Sequence, residues 1–506
     1  MLRRNLIANY VGQVWGAVMG LAFVPLYIKY LSIEAYGLIG IFAMLQIWLS
    51  LLDVGMRPTL GREMARFTGG AHNAQSIWNL LRSIEYIAVA IAIAIGSIVW
   101  LASGWLASNW VNAVTMPEGV VSQAFALMGL VAALRFVENI YSSTIAGLQQ
   151  QVLLNVIVSV MVTVRGLGAV GVLLWVSPTI EAFFLWQAIV SLLTVVIFVA
   201  VVYRVLPSSP STARFSLVAL LDIWRFAAGM IGITFLSLLL MQIDKIVLSS
   251  LLTLENFGYY ALAGVVASAL YMFSKPIAAA FYPRFIELLT RQEDIALHKA
   301  YHQSAQLITV LMGSAALVLI VFADRVIFLW TSDPVLTQQV APLMAILALG
   351  TMLNGLMWIP YQMQLAHGMT SLAVKSNIVA VVLLVPTIVL VVPIYGALGA
   401  AWVWATLNAG YLLIGIHFMY RRILTSEKWS WYRDDIFVPL TVAGFAAFFC
   451  QWGFSEQFGR IGELFVLTVS SLAVLVASSF SAPLVRQQVA RHLPGYLQRY
   501  LQMDTE

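Results

Sequence analysis

An all-α polytopic membrane protein is the fold class this sequence predicts. Three observations predict it: too few charges for a water-facing surface, apolar runs of bilayer length from end to end, and a one-sided placing of Lys and Arg between those runs. Of 506 residues, 61% are hydrophobic and 10% charged, against about 25% charged in a soluble protein. A helix needs about 20 apolar residues to cross hydrocarbon, and such runs recur throughout, with no stretch long and polar enough to form a soluble domain. The start, Met1-Leu2-Arg3-Arg4 and an apolar run, has the look of a secretory signal. Asn9, Gly12, Gln13 and Trp15 interrupt that run and no small-residue cleavage site follows, so it reads as a first membrane helix. The lone Cys450 rules out an intramolecular disulfide framework and a Cys-based metal cluster.

About 14 transmembrane helices are predicted, over 6–30, 37–58, 83–107, 122–146, 153–175, 181–205, 226–249, 259–282, 305–329, 339–365, 375–395, 397–419, 436–454 and 463–483. The division between 375–395 and 397–419 rests on the turn signal Pro393-Ile394-Tyr395-Gly396. Lys and Arg mark cytoplasmic loops. With the N-terminus inside, the inner segments hold Arg3 and Arg4; Arg57, Arg62, Arg66 and Arg82; Arg204, Arg214 and Arg225; Arg284, Arg291 and Lys299; Lys375; Arg421, Arg422, Lys428 and Arg433; and Arg486, Arg491 and Arg499. The outer segments hold only Lys29, Arg325 and Arg460. That asymmetry orients the chain with both termini cytoplasmic, and it tests the helix number, because one missed helix would scramble the alternation. Trp100, Trp105 and Trp110 suit an aromatic belt at the outer end of the third helix. The formal charge of +5 follows from basic loops facing anionic membrane lipids and calls for no nucleic-acid partner.

An internal repeat organises these helices. Leu31-Ser32-Ile33-Glu34-Ala35-Tyr36-Gly37 matches Leu252-Thr253-Leu254-Glu255-Asn256-Phe257-Gly258 at an offset of 221 residues, and both segments join an odd helix to an even one on the outer face. Gly147 and Asn155 are echoed by Gly368 and Asn377, with spacings that differ by one. Chance likeness between membrane segments is the bland alternative. Duplication predicts a six-helix lobe over 1–206, a cytoplasmic linker over 207–225 that opens on Pro207-Ser208-Ser209-Pro210-Ser211, a second six-helix lobe over 226–425, and two extra helices with a cytoplasmic tail over 426–506. Transporters commonly carry such repeats.

Four basic residues remain within predicted helices: Arg135, Arg165, Lys245 and Lys275. A charge near a helix centre costs about 2.5–3.5 kcal/mol on insertion scales, so these groups face a cavity or a partner. Arg165 is roughly 15 Å from either end of its helix at 1.5 Å per residue, too far to snorkel, and it has no acid on its own helix within a turn. Arg135 is also central, but Glu138 lies three residues on and offers a structural ion pair. Lys275 is nearer the cytoplasmic end. Asp244 and Lys245, near the outer end of the seventh helix, are adjacent and do not face one another. Two polar stripes, Asn9-Gln13-Gly16-Gly20 and Gln46-Ser50-Asp53-Arg57, each mark one helix face. They read either as a wet interior or as interhelical hydrogen bonding and small-residue packing. Asp53 is a candidate to bind a coupling ion or to neutralise Arg57.

No catalytic residue or metal ligand set emerges. The chain has no phosphate loop, no HExxH and no metal-spaced His group. His298 and His302 are four apart but fall in a charged cytoplasmic segment, where solvated surface is the expected reading. A large outer loop that could house a glycan polymerase or ligase active site is absent as well.

The sequence resembles the polysaccharide-exporter and O-antigen flippase (Wzx-type) branch of the multidrug/oligosaccharidyl-lipid/polysaccharide superfamily. The resemblance is carried by Pro25-Leu26-Tyr27 with Tyr30-Leu31, Glu34-Ala35-Tyr36-Gly37, Leu52-Asp53-Val54-Gly55-Met56 with Arg62, Gln242-Ile243-Asp244-Lys245 leading to Glu255-Asn256-Phe257-Gly258-Tyr259-Tyr260, and Pro393-Ile394-Tyr395-Gly396-Ala397-Leu398-Gly399-Ala400. Each motif is loose; their order across most of the chain is more specific. The resemblance implies two six-helix lobes forming a V-shaped central cavity and transfer of a lipid-linked oligosaccharide, usually on undecaprenyl pyrophosphate, across a bacterial inner membrane. It further implies no cofactor, coupling to a proton or sodium gradient, and a polysaccharide polymerase and chain-length machinery as partners. On that reading Arg135, Arg165 and Lys275 are cavity cations for the anionic head, and Asp53, Glu138, Asp244 and Lys245 are coupling or gating candidates. A drug antiporter of the same superfamily and a membrane glycan polymerase or ligase are the alternatives, with a cell-wall precursor flippase as the nearest sister reading. Deep basic charge favours an anionic cargo over the cations drug exporters usually move.

The topology is directly testable. Reporter fusions after Thr68, near Arg291 and near Ser426 should report cytoplasm, and fusions near Met116 and Asp333 periplasm. Opposite compartments at two of these sites would break the fourteen-helix map.

Overall fold

Hydrocarbon offers no partner for backbone N–H and C=O groups, so an apolar chain that crosses it pairs them within helices. The computed structural model describes residues 2–53, 56–68, 70, 73–207, 214–215, 235, 238–239, 242–454 and 458–490. Among these, helices carry nearly the whole chain, with one isolated parallel bridge between Asn112 and Thr253. The chain divides into two compact units, Met1–Gly258 and Tyr259–Glu506.

The first unit contains α1 (Leu2–Ala22), α2 (Val24–Leu31), α3 (Ile33–Leu49), α4 (Met56–Thr68), α5 (Ala74–Trp105), α6 (Glu118–Gly147), α7 (Gln151–Trp175), α8 (Ile180–Val205) and α9 (242–251); α10 (Leu254–Ser268) begins in it. Its hub is α6, which packs against α4, α5 and α8, while α1 lies along α7. The helix expected over 37–58 is not continuous. Its α-helical part stops at Leu49, a 3-10 turn covers Ser50–Asp53, and α4 starts at Met56 with Pro58 in its first turn, where proline is tolerated because that N–H has no partner inside a helix. The stripe Gln46-Ser50-Asp53-Arg57 is therefore split between elements.

The repeat becomes a contact. Ser32 Oγ accepts from the Ala35 N–H (3.4 Å), and Thr253 Oγ1 accepts from the Asn256 N–H (3.3 Å). Tyr36 N–H donates to the Ser32 carbonyl (3.1 Å), and Phe257 N–H to the Thr253 carbonyl (2.9 Å). The two motifs then meet reciprocally. A methyl group at Gly37 would sit 2.4 Å from the Leu254 carbonyl oxygen, and one at Gly258 would sit 2.5 Å from that of Ile33. Only glycine lets both backbones approach so closely. The segment after α5 holds this crossing. Asn112 Nδ2 donates to the Ser250 carbonyl (3.0 Å), Leu254 N–H donates to the Asn112 carbonyl (2.9 Å), and buried Glu34 accepts from the N–H groups of Val114 (2.6 Å) and Thr115 (3.1 Å).

The second unit continues through α11 (Tyr271–Thr290), α12 (Asp294–Ile308), α13 (Ser314–Val321), α14 (Ala323–Thr331), α15 (Pro334–Leu356), α16 (Trp358–Ala366), α17 (Thr370–Gly410), α18 (Ile416–Tyr420), α19 (Lys428–Ser430), α20 (Val438–Gly453), α21 (Arg460–Ser481) and α22 (Pro483–Ala490). Inside α17, Gly396 is non-helical (φ 59°, ψ −147°), so the element is two helices on either side of it. The chain doubles back there, since Tyr411 OH donates to Asn377 Oδ1 (3.0 Å). Late helices α20 and α21 close on α13 through Val318, Phe322, Ala443, Ala447 and Val474. Polar clasps fasten them on both sides of that seam. Arg325 holds buried Glu463 (3.0 Å) and the Phe454 carbonyl, while Gln306 donates to buried Asp435 (2.9 Å) and accepts from the Leu484 N–H (2.8 Å).

Among the described residues, 11 helical runs are long and apolar enough to cross a membrane, and the shorter apolar Ile33–Leu49 adds to them. One of the 11, Val374–Tyr420, contains the Gly396 break. The predicted linker 207–225, apart from Pro207, Arg214 and Phe215, and most of the predicted helix 226–249 lie outside the described residues, as does the tail beyond 490.

Overpacking at the crossing should show in stability. Gly37→Ala and Gly258→Ala are each expected to cost about 1–3 kcal/mol, read as a lower unfolding temperature of the purified protein in detergent. Gly16→Ala, which meets nothing within 4 Å, is expected to be neutral or stabilising because alanine is the better helix former. A Gly37→Ala protein as stable as its parent would refute the close approach.

Candidate functional site

A charged cluster sits inside the first unit. Arg135 and Glu138 come from α6, Arg165 from α7, Phe42 and Gln46 from α3, and Gln187 from α8. Four apolar helices supply polar groups to one place, which is how membrane helices accommodate groups that lipid rejects.

Arg135 is fixed by neutral acceptors. Its Nη1 donates to Gln46 Oε1 (2.7 Å), its Nη2 donates to Gln187 Oε1 (3.0 Å), and its guanidinium lies over the Phe42 ring at 5.2 Å. Phe42 stacks edge-on against fully buried Phe184, and Phe184 against Phe183. Amide oxygens and a ring face hold the guanidinium in position without cancelling its charge.

Glu138 turns to another helix. The ion pair expected between Arg135 and Glu138, three residues apart on α6, gives way to one between Glu138 Oε2 and Arg165 Nη2 at 3.4 Å. Gln46 and Gln187 draw the Arg135 head away, which leaves the carboxylate for α7. Arg165 thus has an acid after all, supplied across the helix interface where spacing along its own helix could not show it. The Nε–H groups of both arginines are buried and donate to no atom among the described residues. With two guanidiniums to one carboxylate, and that carboxylate on Arg165, the cluster keeps a net positive charge.

The other predicted site residues lie elsewhere. Lys275, on α11 in the second unit, is exposed and sits 5.9 Å from the Tyr271 ring. Tyr271 OH donates to Asn354 Oδ1 (2.9 Å), and Asn354 Nδ2 to buried Asn408 Oδ1 (2.8 Å). Asn408 follows Gln187 by 221 residues, the same offset that separates the two matching motifs. That register was a usable signal for both residues. Asp244 is buried on α9, and the neighbouring Lys245 donates to Gln242 (3.3 Å). Asp53 falls in the 3-10 turn, and its side chain lies outside the described residues. On the first stripe, Asn9 accepts from Asn155 Nδ2 (2.6 Å), joining α1 to α7 by an interhelical hydrogen bond.

His302 departs from expectation. Far from a solvated surface, its side chain is 12% exposed and bridges fully buried Asp435 (2.5 Å) and Glu427 (3.0 Å), while His298 reaches Glu427 (3.1 Å). Local charge density marked the segment as polar; the acids that enclose His302 come from more than 120 residues away. Between the two arms of α17, an apolar groove of about 840 Å³ is lined by residues such as Leu383, Val391 and Trp402, with Lys375 and Tyr411 among its few polar members. Its chemistry suits a hydrocarbon chain.

Residues 2–289 match a family model described as polysaccharide biosynthesis protein. No curated protein matches the sequence. Among solved structures, the lipid II flippase MurJ in an inward closed conformation is similar at 12% identity, over 94% of this chain and 98% of that one, with a TM-score of 0.68. An inward-facing MATE multidrug resistance transporter of the MOP superfamily is similar at 15% identity, over 82% and 96%, with a TM-score of 0.67. The MATE multidrug transporter DinF-BH is similar at 14% identity, over 83% and 95%, with a TM-score of 0.58. At these identities the likeness shows the fold, shared between a flippase and drug transporters.

The cluster's own bonds can be tested by stability. Gln187→Leu removes an acceptor from a buried guanidinium and is expected to cost about 1–3 kcal/mol, lowering the unfolding temperature. Gln187→Glu keeps the acceptor, adds charge compensation, and should recover most of the loss. Equal melting of Gln187→Leu and the parent would remove Gln187 from the cluster.

Proposed function

This chain belongs to the polysaccharide biosynthesis protein family, and from that premise we propose that it is a flippase for a lipid-linked oligosaccharide. The cargo is an undecaprenyl-pyrophosphate-linked repeat unit, moved by alternating access from the cytoplasmic to the periplasmic leaflet of a bacterial inner membrane for surface polysaccharide or O-antigen assembly. The single observation that carries the reading is the α6–α7 cluster, with two guanidiniums to one carboxylate and buried Nε–H donors left over. Arginine presents a planar fork that matches phosphate oxygens, and in a partly dry site such a contact is worth more than in water. The apolar groove of α17 has the character to take a polyprenyl tail.

In this reading the protein has two six-helix lobes, 1–206 and 226–425, with the helices of 426–506 appended and both termini in the cytoplasm. The near-exact 221-residue equivalences at Ser32/Thr253 and Gly37/Gly258 support the duplication. Lys275 serves as a further cation for the head group, and Asp53, Asp244 and Lys245 as coupling or gating groups for a proton or sodium gradient. A polysaccharide polymerase and chain-length machinery receive the product. The fold likeness to MATE transporters favours a second reading, a small-molecule antiporter.

Gene deletion is expected to stop surface glycan while repeat units stay on the lipid carrier inside. Normal surface glycan with only drug sensitivity altered would select the antiporter. Arg165→Ala should impair export at normal membrane abundance, and Arg165→Lys should keep part of it, because charge survives while the bidentate fork is lost. Full export by a normally abundant Arg165→Ala protein would sink the reading of Arg165 as a head-group ligand.

A further inference from the structure

The Glu138–Arg165 pair is a loose one. Its single contact is 3.4 Å long, where charge-assisted N–H···O bonds run about 2.7–2.9 Å. Both side chains keep some exposure, 16% for Arg165 and 18% for Glu138, so the carboxylate has room to leave. Arg165 Nε–H, on the edge of the guanidinium that would complete a fork, donates to no atom among the described residues. Arg135 beside it is held on neutral amides and a ring face, with its own Nε–H in the same state. Glu138 therefore answers only part of the positive charge and only part of the donor geometry around it.

From this we infer that Glu138 is a resident counter-anion: it occupies the seat of the cargo's diphosphate, and cargo binds by displacing it from Arg165. The inference rests on the anionic-cargo reading above and adds how that site is regulated. With the site unloaded, Glu138 keeps Arg165 from standing uncompensated in the membrane, which several kcal/mol would oppose. When a diphosphate arrives, its oxygens take the Nε and Nη edge of Arg165 as a fork, and the carboxylate gives up its one long contact. Binding is then an exchange of anions. The apparent affinity falls below the intrinsic affinity by the fraction of time that Glu138 leaves Arg165 open. Weakened binding is useful to a carrier, because the returning carboxylate helps to expel the head group on the far side, and a carrier that binds too tightly does not let go.

The test is calorimetric titration of inorganic pyrophosphate into the purified full-length protein in nanodiscs, alongside export measured in cells. Glu138→Gln removes the competing charge and is expected to tighten pyrophosphate binding about tenfold or more while slowing export. Glu138→Asp keeps the charge on a shorter arm and should fall between. Arg165→Ala should abolish the tightening when combined with Glu138→Gln. If the parent binds pyrophosphate and Arg165→Ala loses it, but Glu138→Gln and Glu138→Asp bind no tighter than the parent, the exchange is overturned and the anionic-cargo reading stands. Pyrophosphate binding that Arg165→Ala leaves untouched, or no binding by any of these proteins, overturns the cargo reading at this site and the exchange with it.

Discussion

Lipid hydrocarbon supplies neither hydrogen bonds nor counter-ions, and a polar atom within it must find both inside the protein. In this chain that constraint decides where helices begin and end and which of them touch. Backbone groups are met within helices. Asn155 reaches Asn9 across the α1–α7 seam, and Asn354 reaches Asn408 within the second unit. Glu34, buried at the start of α3, takes its donors from the backbone after α5. Each such pairing ties helices that apolar contact alone would leave free to slide, since lipid tails compete on equal terms for apolar surface.

Under this constraint, neutral and charged partners do different work. Gln46 and Gln187 locate the Arg135 guanidinium without cancelling its charge, whereas the Glu138 carboxylate partly cancels that of Arg165. One basic group is thus held in place at full charge while its neighbour is held with a removable counter-ion. The late helices show the opposite choice. Arg325 meets Glu463 at 3.0 Å with both side chains mostly buried, a closed pair that leaves the cation committed to structure.

Much of the architecture was legible because apolar runs of bilayer length are written along the chain. Runs such as 153–175 and 181–205 recur as α7 and α8 almost to the residue, and the break at Gly396 was signalled by Pro393 and Gly396. Arg135 and Arg165 stood out since a charge amid apolar residues is conspicuous in one dimension. Their partners did not. Which face of α6 meets α7 or α8 depends on the rotation of each helix about its axis, and low amphipathic contrast in membrane helices leaves that rotation unwritten. The helix expected over 37–58 gives way after Leu49 to a 3-10 turn, and Pro58 falls in the first turn of the next helix, where proline is tolerated. His302 was misjudged because its burial comes from Asp435 and Glu427, which no local window contains.

Gly396 carries a burden beyond its own turn. Membrane insertion counts crossings, and the direction of every later helix depends on whether that count is odd or even. The run Val374–Tyr420 is 47 residues long, enough to enter the translocon as a hairpin or to be misread as one long span. At Gly396 the backbone takes φ 59°, a conformation that side-chain-bearing residues rarely adopt. A residue without a side chain thereby sets the parity of the chain, and with it the leaflet that α20 and α21 enter from. The α20–α21 hairpin, by contrast, adds two crossings and leaves the direction of everything upstream unchanged.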